Sequence, residues 1–264
     1  MKSFIRKGRV IVSGDLGVYL FAVVKADAEL QLDKVKLAGE HRKPYTITYE
    51  DQAMVVADAP VQIYEPSREN LKAHQNMVAG LMNKTTVIPM SFGNVLQSKD
   101  DIQVLLKRLY SKFDDIFPRI ENKIEVGLKI IGKKEWMTNQ AGKQKDLAKM
   151  KESIQGSKKD ITYYDKIRVG EAAQKFVKGI HFEFENEAFQ PLAKIADAAK
   201  SNEVIGERML LNASFLVDRS EEEEFDKKVN EIHEEWKDRA DFKYSGPWPA
   251  YNFIDVKIKA DDAS

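Results

Sequence analysis

The 264-residue chain contains no cysteine. That one absence excludes disulfides, thiol catalysis, iron–sulfur clusters and thiolate zinc sites, and leaves nitrogen and oxygen as the only available metal ligands. Net charge is missing too. The 42 Lys and Arg are balanced by 42 Asp and Glu, so no overall field draws the chain onto nucleic acid or an anionic membrane. Long apolar runs are also lacking. The longest stretch without a charged residue, Thr85 to Ser98, has 14 residues and is interrupted by Pro89 and Gly93, which is too short to span a bilayer as a helix. The N-terminus, Met1 to Arg9, leads into no apolar core with a small-residue cleavage site. Together these features predict a soluble, cytoplasmic protein. With 43% hydrophobic residues the chain can bury a sizeable core, and disorder throughout is excluded.

Catalytic signatures are absent as well: there is no GxGxxG, GxxxxGK[ST], GxSxG or HExxH. The four histidines, His41, His74, His181 and His233, are scattered, so a metal site would need the fold to gather them with distant carboxylates. The expectation is no catalytic, cofactor or metal site.

In the first half, Gly17 to Val24 is a compact apolar run rich in β-branched and aromatic residues, which predicts a buried strand. Asp27 to Leu37 has the spacing of a modest helix. Tyr45 to Tyr49 and Met54 to Ala57 flank Glu50-Asp51-Gln52, a polar interval of hairpin length. Leu71, Met77, Val78, Leu81 and Met82 recur at helical spacing over Ser67 to Met82, and Thr85 to Met90 reads as a strand. The order β-α-β-β-α-β predicts a split βαβ sheet with both helices on one face. A further helix over Ser98 to Phe113 has Ser98 as N-cap and is stopped by Pro118.

The second half opens with Ile124, Val126, Leu128 and Ile130 in strict alternation, a half-buried strand. Gly132 to Lys159 holds eight lysines against three acidic residues, a basic insertion expected to be mobile and partly helical. Helical sequence runs from Tyr163 to Lys200, with Pro191 marking a break or the first turn of a second helix. Met209 to Val217 reads as a strand. A Ser220/Glu223 capping box then starts a helix whose buried face carries Phe225, Val229, Ile232 and Trp236. Strands over Asp241 to Tyr244 and Tyr251 to Lys259 straddle Gly246-Pro247-Trp248-Pro249.

The reading is an α+β fold of two domains, each an antiparallel sheet with packed helices, ferredoxin-like or a modification of it. The expected boundaries are an extension at 1–16, a first domain at 17–118, a second at 119–259 carrying the insertion at 132–159, and a tail at 260–264. A ferredoxin-like sheet raises RNA binding, but the RNP1 pattern is missing and Met54 to Ala57 offers no aromatic platform. His74 falls at the edge of its helix's apolar stripe, where a packed histidine outweighs a catalytic base. Glu221 to Glu224 suits the first turn of a helix rather than a metal cluster.

Two stretches are more specific: Val87 to Val95, containing Pro89, Phe92 and Gly93 and preceded by the helix that carries His74, and Tyr244 to Phe253, containing Gly246, Pro247, Trp248, Pro249 and Tyr251. With Gly17 to Phe21 they resemble the gas vesicle protein F and L family over residues 16–259, and most of all its F members from bacillus-type clusters. The resemblance implies a cytoplasmic, non-enzymatic protein that engages the small hydrophobic shell protein GvpA and other gas vesicle proteins. It would bind unassembled shell protein through exposed apolar surface or an open sheet edge, preventing aggregation during nucleation; the alternatives are a minor structural component of the shell, or an enzyme using His74 and carboxylates. No cofactor, nucleic acid or membrane is implied. The signature residues His74, Pro89, Phe92, Gly93, Gly246, Pro247, Trp248, Pro249 and Tyr251 read as structural, since glycine and proline fix turns while Trp248 and Tyr251 pack a sheet end.

Overall fold

A computed structural model describes residues 16–143 and 163–256. The chain divides into two compact units. The first holds residues up to Lys123 and those from Trp248 onward, and the second holds Ile124–Pro247. The boundary expected after residue 118 thus falls five residues later, and the C-terminal segment from Trp248 groups with the first unit instead of the second. Both units combine helices with antiparallel pairing.

The first unit is built on β1 (Leu16–Lys25), fully buried from Val18 to Val24. The expected helix over 27–37 does not form. In its place β2 (Val35–Leu37) and β3 (Glu40–Arg42) make a hairpin. Val35 and Leu37 point into the core while Lys36 does not, and Ala38 and Gly39 turn the chain at φ of 50° and 82°. Alternating burial with a two-residue turn of positive φ outweighs a weak helical spacing. β4 (Tyr45–Tyr49) and β5 (Gln52–Pro60) pair across a Glu50-Asp51 turn, as expected, in unbroken register from Tyr45 against Val56 to Tyr49 against Gln52.

α1 (Arg68–Met82) starts at Ser67, whose side chain accepts from the Asn70 amide. The strand expected over 85–90 is only β6 (Ile88–Pro89), and β7 (Val95–Leu96) follows; both pair with β1. α2 (Lys99–Ile120) has a full capping box between Ser98 and Asp101. Pro118 does not stop it but sits in its last turn. Ile116, Phe117 and Ile120 are buried there, and burial worth ~1.5–3 kcal/mol per side chain outweighs the one hydrogen bond a proline forgoes.

The sheet order is β4-β5-β1-β6, with β7 beside β1. Ala53, Val55, Ala57 and Ala59 of β5 join Val78 and Leu81 of α1 in one cluster. Gln52, of opposite parity, donates to the Tyr110 carbonyl on α2. The two helices therefore cover opposite faces of this sheet; of the pair expected together on one face only α1 forms, because the segment expected as the other helix contributes the β2–β3 hairpin.

The second unit contains β8 (Lys123–Gly132), α3 (Lys134–Lys143), α4 (Tyr163–Phe184), a π-helical turn (Glu185–Phe189), α5 (Gln190–Ala193), β9 (Ala198–Ser201), β10 (Met209–Asp218), a 3-10 turn (Arg219–Glu221), α6 (Glu222–Trp236) and β11 (Ala240–Trp248). α3 occupies the start of the lysine-rich insertion; residues 144–159 of it lie outside the described residues. The helical reading to Lys200 is corrected, because the chain turns after Ala193 and β9 pairs with β10. Pro191 takes an early position of α5, where its missing N–H is harmless. The Ser220/Glu223 box is not formed; Asp218 instead caps the 3-10 turn that leads into α6, accepting from the Ser220 amide.

β11 runs through the Gly246-Pro247 motif to Trp248, where a strand ending at Tyr244 had been expected. Tyr251 to Phe253 is a turn, not a strand, and 257–259 lie outside the described residues. The sheet order is β11-β8-β10-β9. Phe215 of β10 packs on Phe189 and on Phe225 of α6, while Phe184 of α4 packs on Trp236. The β-α-β-β-α-β order, with helical segments over one face, thus belongs to this unit rather than to the first.

Candidate functional site

The first signature gathers around His74. Tyr19 and Phe21, two residues apart on β1, share the α1 face by strand alternation, and the extra residue of a β-bulge between Leu20 and Ala22 brings Ala22 and Val24 onto that face as well. Their rings meet the His74 ring at centroid distances of 5.7 and 5.6 Å, and Phe92 closes the far side at 5.8 Å. His74 Nε2 lies 3.1 Å from the Met90 carbonyl oxygen and Nδ1 lies 3.0 Å from the Tyr19 hydroxyl. A carbonyl can only accept, so Nε2 carries the proton and Nδ1 accepts from Tyr19. The Tyr19 oxygen in turn accepts from the Gly93 amide at 3.0 Å.

This chain of three hydrogen bonds ties α1, β1 and the 90–93 loop together, and it leaves both imidazole nitrogens engaged. His74 is 2% exposed. Burial holds its imidazole down at about 4 from an ordinary 6.5, against the opposing effect of the Met90 carbonyl. Burial likewise pushes the Tyr19 phenol well above its ordinary value. His74 is thus a neutral, packed group with no nitrogen open to a substrate. Pro89 lies in an edge strand opposite Ala22, where its missing donor is tolerated. Gly93 adopts φ of 84°, the left-handed region that glycine enters without strain.

Tyr19 is the residue that sequence reasoning missed. Sequence pattern alone makes it one more member of an apolar strand. The available signal was a hydroxyl inside an otherwise apolar buried run, which needs a partner somewhere.

The second signature lies elsewhere in the fold. Gly246 has φ of 137°, and a side chain there would place Cβ 3.0 Å from the Glu125 carbonyl oxygen. This glycine is required by the close approach of β11 to β8. Tyr244 donates to Asp226 of α6 at 2.6 Å. Trp248 is 37% exposed instead of sealing a sheet end, whereas Pro249 and Ala250 are buried. Tyr251 is half-buried in the first unit.

Neither signature lines the polar hollow of about 280 Å³ formed by Lys194, Asp197, Glu221, Glu224 and Phe225. Among the described residues no group of three His, Asp or Glu is placed to hold a metal ion. Among them, too, no helix is long and apolar enough to cross a membrane.

The family model described as gas vesicle synthesis protein GvpL/GvpF matches residues 17–255. The chain is 25% identical over 247 residues to gas vesicle protein F1 of Halobacterium salinarum, covering 92% of this chain and 95% of that protein. It is 23% identical over 245 residues to gas vesicle protein F of a Streptomyces species, covering 91% and 100%. In fold it is similar to the crystal structure of GvpF from Anabaena sp., with a TM-score of 0.76 at 20% identity over 92% of this chain and 99% of that one. GvpF from Microcystis aeruginosa gives 0.74 at 19% identity, over 91% and 99%.

Proposed function

Because the chain belongs to the gas vesicle synthesis protein GvpL/GvpF family, we propose that it is a cytoplasmic assembly accessory that binds the hydrophobic shell protein GvpA. By covering apolar surface of unassembled shell protein, it prevents aggregation while the vesicle nucleates. Involvement in gas vesicle formation follows from family membership.

The observation that carries it is the match over residues 17–255, and the engagement of both His74 nitrogens by Tyr19 and Met90 supports it. The exposed aromatic Trp248 supplies an apolar contact point.

Co-expression with the shell protein tests the reading. The shell protein should stay soluble and co-purify in a salt-resistant manner, since apolar contact is little screened. Trp248→Ala should reduce that capture without unfolding the protein. Unchanged shell-protein solubility with no co-purification would sink the proposal. Retention on purified vesicles through mild washing would point instead to a minor structural component of the shell.

A further inference from the structure

We propose that the outer edge of β4 is a self-association surface, on which two copies of this chain pair their β4 strands antiparallel about a two-fold axis at Ile47.

Exposed strand edges invite pairing with another chain, and proteins blunt them with charge, proline, irregularity or shortness. The other described edges carry such devices. The β6–β7 edge has Pro89 and leaves the ladder between Pro89 and Val95. β9 has four residues and includes Lys200. β11 contains Lys243 and Pro247. The β2–β3 hairpin carries Lys36, Glu40 and Arg42. β4 has none of these: Tyr45-Thr46-Ile47-Thr48-Tyr49 is uncharged, rich in β-favouring residues and pairs with β5 without a register shift.

The strand also matches its own reverse. Around Ile47 its sequence is a palindrome, so an antiparallel pair places Tyr45 opposite the partner's Tyr49, Thr46 opposite the partner's Thr48, and Ile47 opposite the partner's Ile47. Aromatic pairs and Thr–Thr pairs are favourable cross-strand neighbours, and a self-complementary patch is what a two-fold interface needs. The backbone agrees. The two-residue turn at Glu50-Asp51 makes Tyr49 and Gln52 the closing pair, so the N–H and C=O groups of Tyr45, Ile47 and Tyr49 point to β5 and those of Thr46 and Thr48 point outward. Thr46 then exchanges two hydrogen bonds with the partner's Thr48, and Thr48 does the same with the partner's Thr46.

Charge complements the same register. Lys43, exposed just before the strand, falls opposite the partner's Asp51, which stands just after it. Asp51 is held below the usual carboxylate range, chiefly by Lys25 and then by the Tyr110 hydroxyl, and so is charged at neutral pH.

Sedimentation of the full chain over a concentration series, without any shell protein, is the test. The wild type should dimerise. Thr46→Lys with Thr48→Lys sets like charges opposite each other twice and should raise the dimer dissociation constant by at least about tenfold. Thr46→Lys with Thr48→Glu alters the same exposed positions but sets opposite charges face to face, and should retain the dimer. Ile47→Cys gives the cysteine-free chain one thiol opposite its own copy at a Cα separation of ~4.5 Å, and mild oxidation should link it covalently. Thr48→Cys, whose counterpart is position 46, should link poorly. A monomer at all concentrations, or a dimer that survives the double lysine variant, overturns the proposal.

Discussion

The imidazole of His74 should make the stability of the first unit depend on pH in a calculable way. The ring is buried, neutral and hydrogen-bonded through both nitrogens, and its folded value of about 4 lies below the ordinary 6.5. The folded state therefore binds fewer protons than the unfolded state wherever the pH is below 6.5. Above that value the group adds nothing to the pH dependence; as pH falls from 6.5 toward 4, stability is lost, and below 4 the loss levels off. The full span of 6.5 to about 4 corresponds to about 3 kcal/mol, of which about 2 kcal/mol should be gone by pH ~5. Because the ring is almost fully buried, solvent screening takes little from that figure.

The perturbation that isolates the group is His74→Gln, which keeps a donor for the Met90 carbonyl or an acceptor for the Tyr19 hydroxyl but does not ionise. Urea unfolding of both proteins from pH ~7.5 to ~5 is the assay. The variant should be less stable near neutral pH, where the imidazole geometry is better. Its deficit should then shrink by about 2 kcal/mol on acidification, because every other titrating group is common to the two chains. Parallel curves with a constant difference would refute the reasoning, since they would mean that His74 is not held neutral by the fold.

Other expectations are equally direct. Gly246→Ala forces a side chain into a φ of 137° and against the Glu125 carbonyl; the midpoint of urea unfolding should fall by an amount equivalent to at least about 2 kcal/mol. Ala38→Asn places a residue that tolerates the left-handed region at φ of 50°, ahead of Gly39, and should raise thermal stability by about 0.5–1 kcal/mol. Ser98→Ala removes the side chain that accepts from the Asp101 amide at the start of α2, costing about 1 kcal/mol by chemical denaturation.

What the sequence by itself determined was local. The burial of Ile124, Val126, Leu128 and Ile130 in β8, the helical stripe of Phe225, Val229, Ile232 and Trp236, and the Ser98 cap follow from neighbours a few residues apart, and the structure has them where the spacing puts them. The family was legible for a related reason. Its signature segments combine glycine and proline with aromatics at fixed spacing, and such turns constrain the backbone locally. Only the tertiary structure decided the rest. The 27–37 segment became a hairpin because Val35 and Leu37 had a core to enter. Pro118 stayed inside α2 because Phe117 and Ile120 were buried around it. The roles of the signature residues were decided at longer range still: His74 and Tyr19 are 55 residues apart, and Tyr19 and Gly93 are 74 apart. A hydrogen bond across such a separation leaves no periodicity in the chain. It exists because β1, α1 and the loop after β6 pack around one buried ring, where burial obliges each polar atom to find a partner.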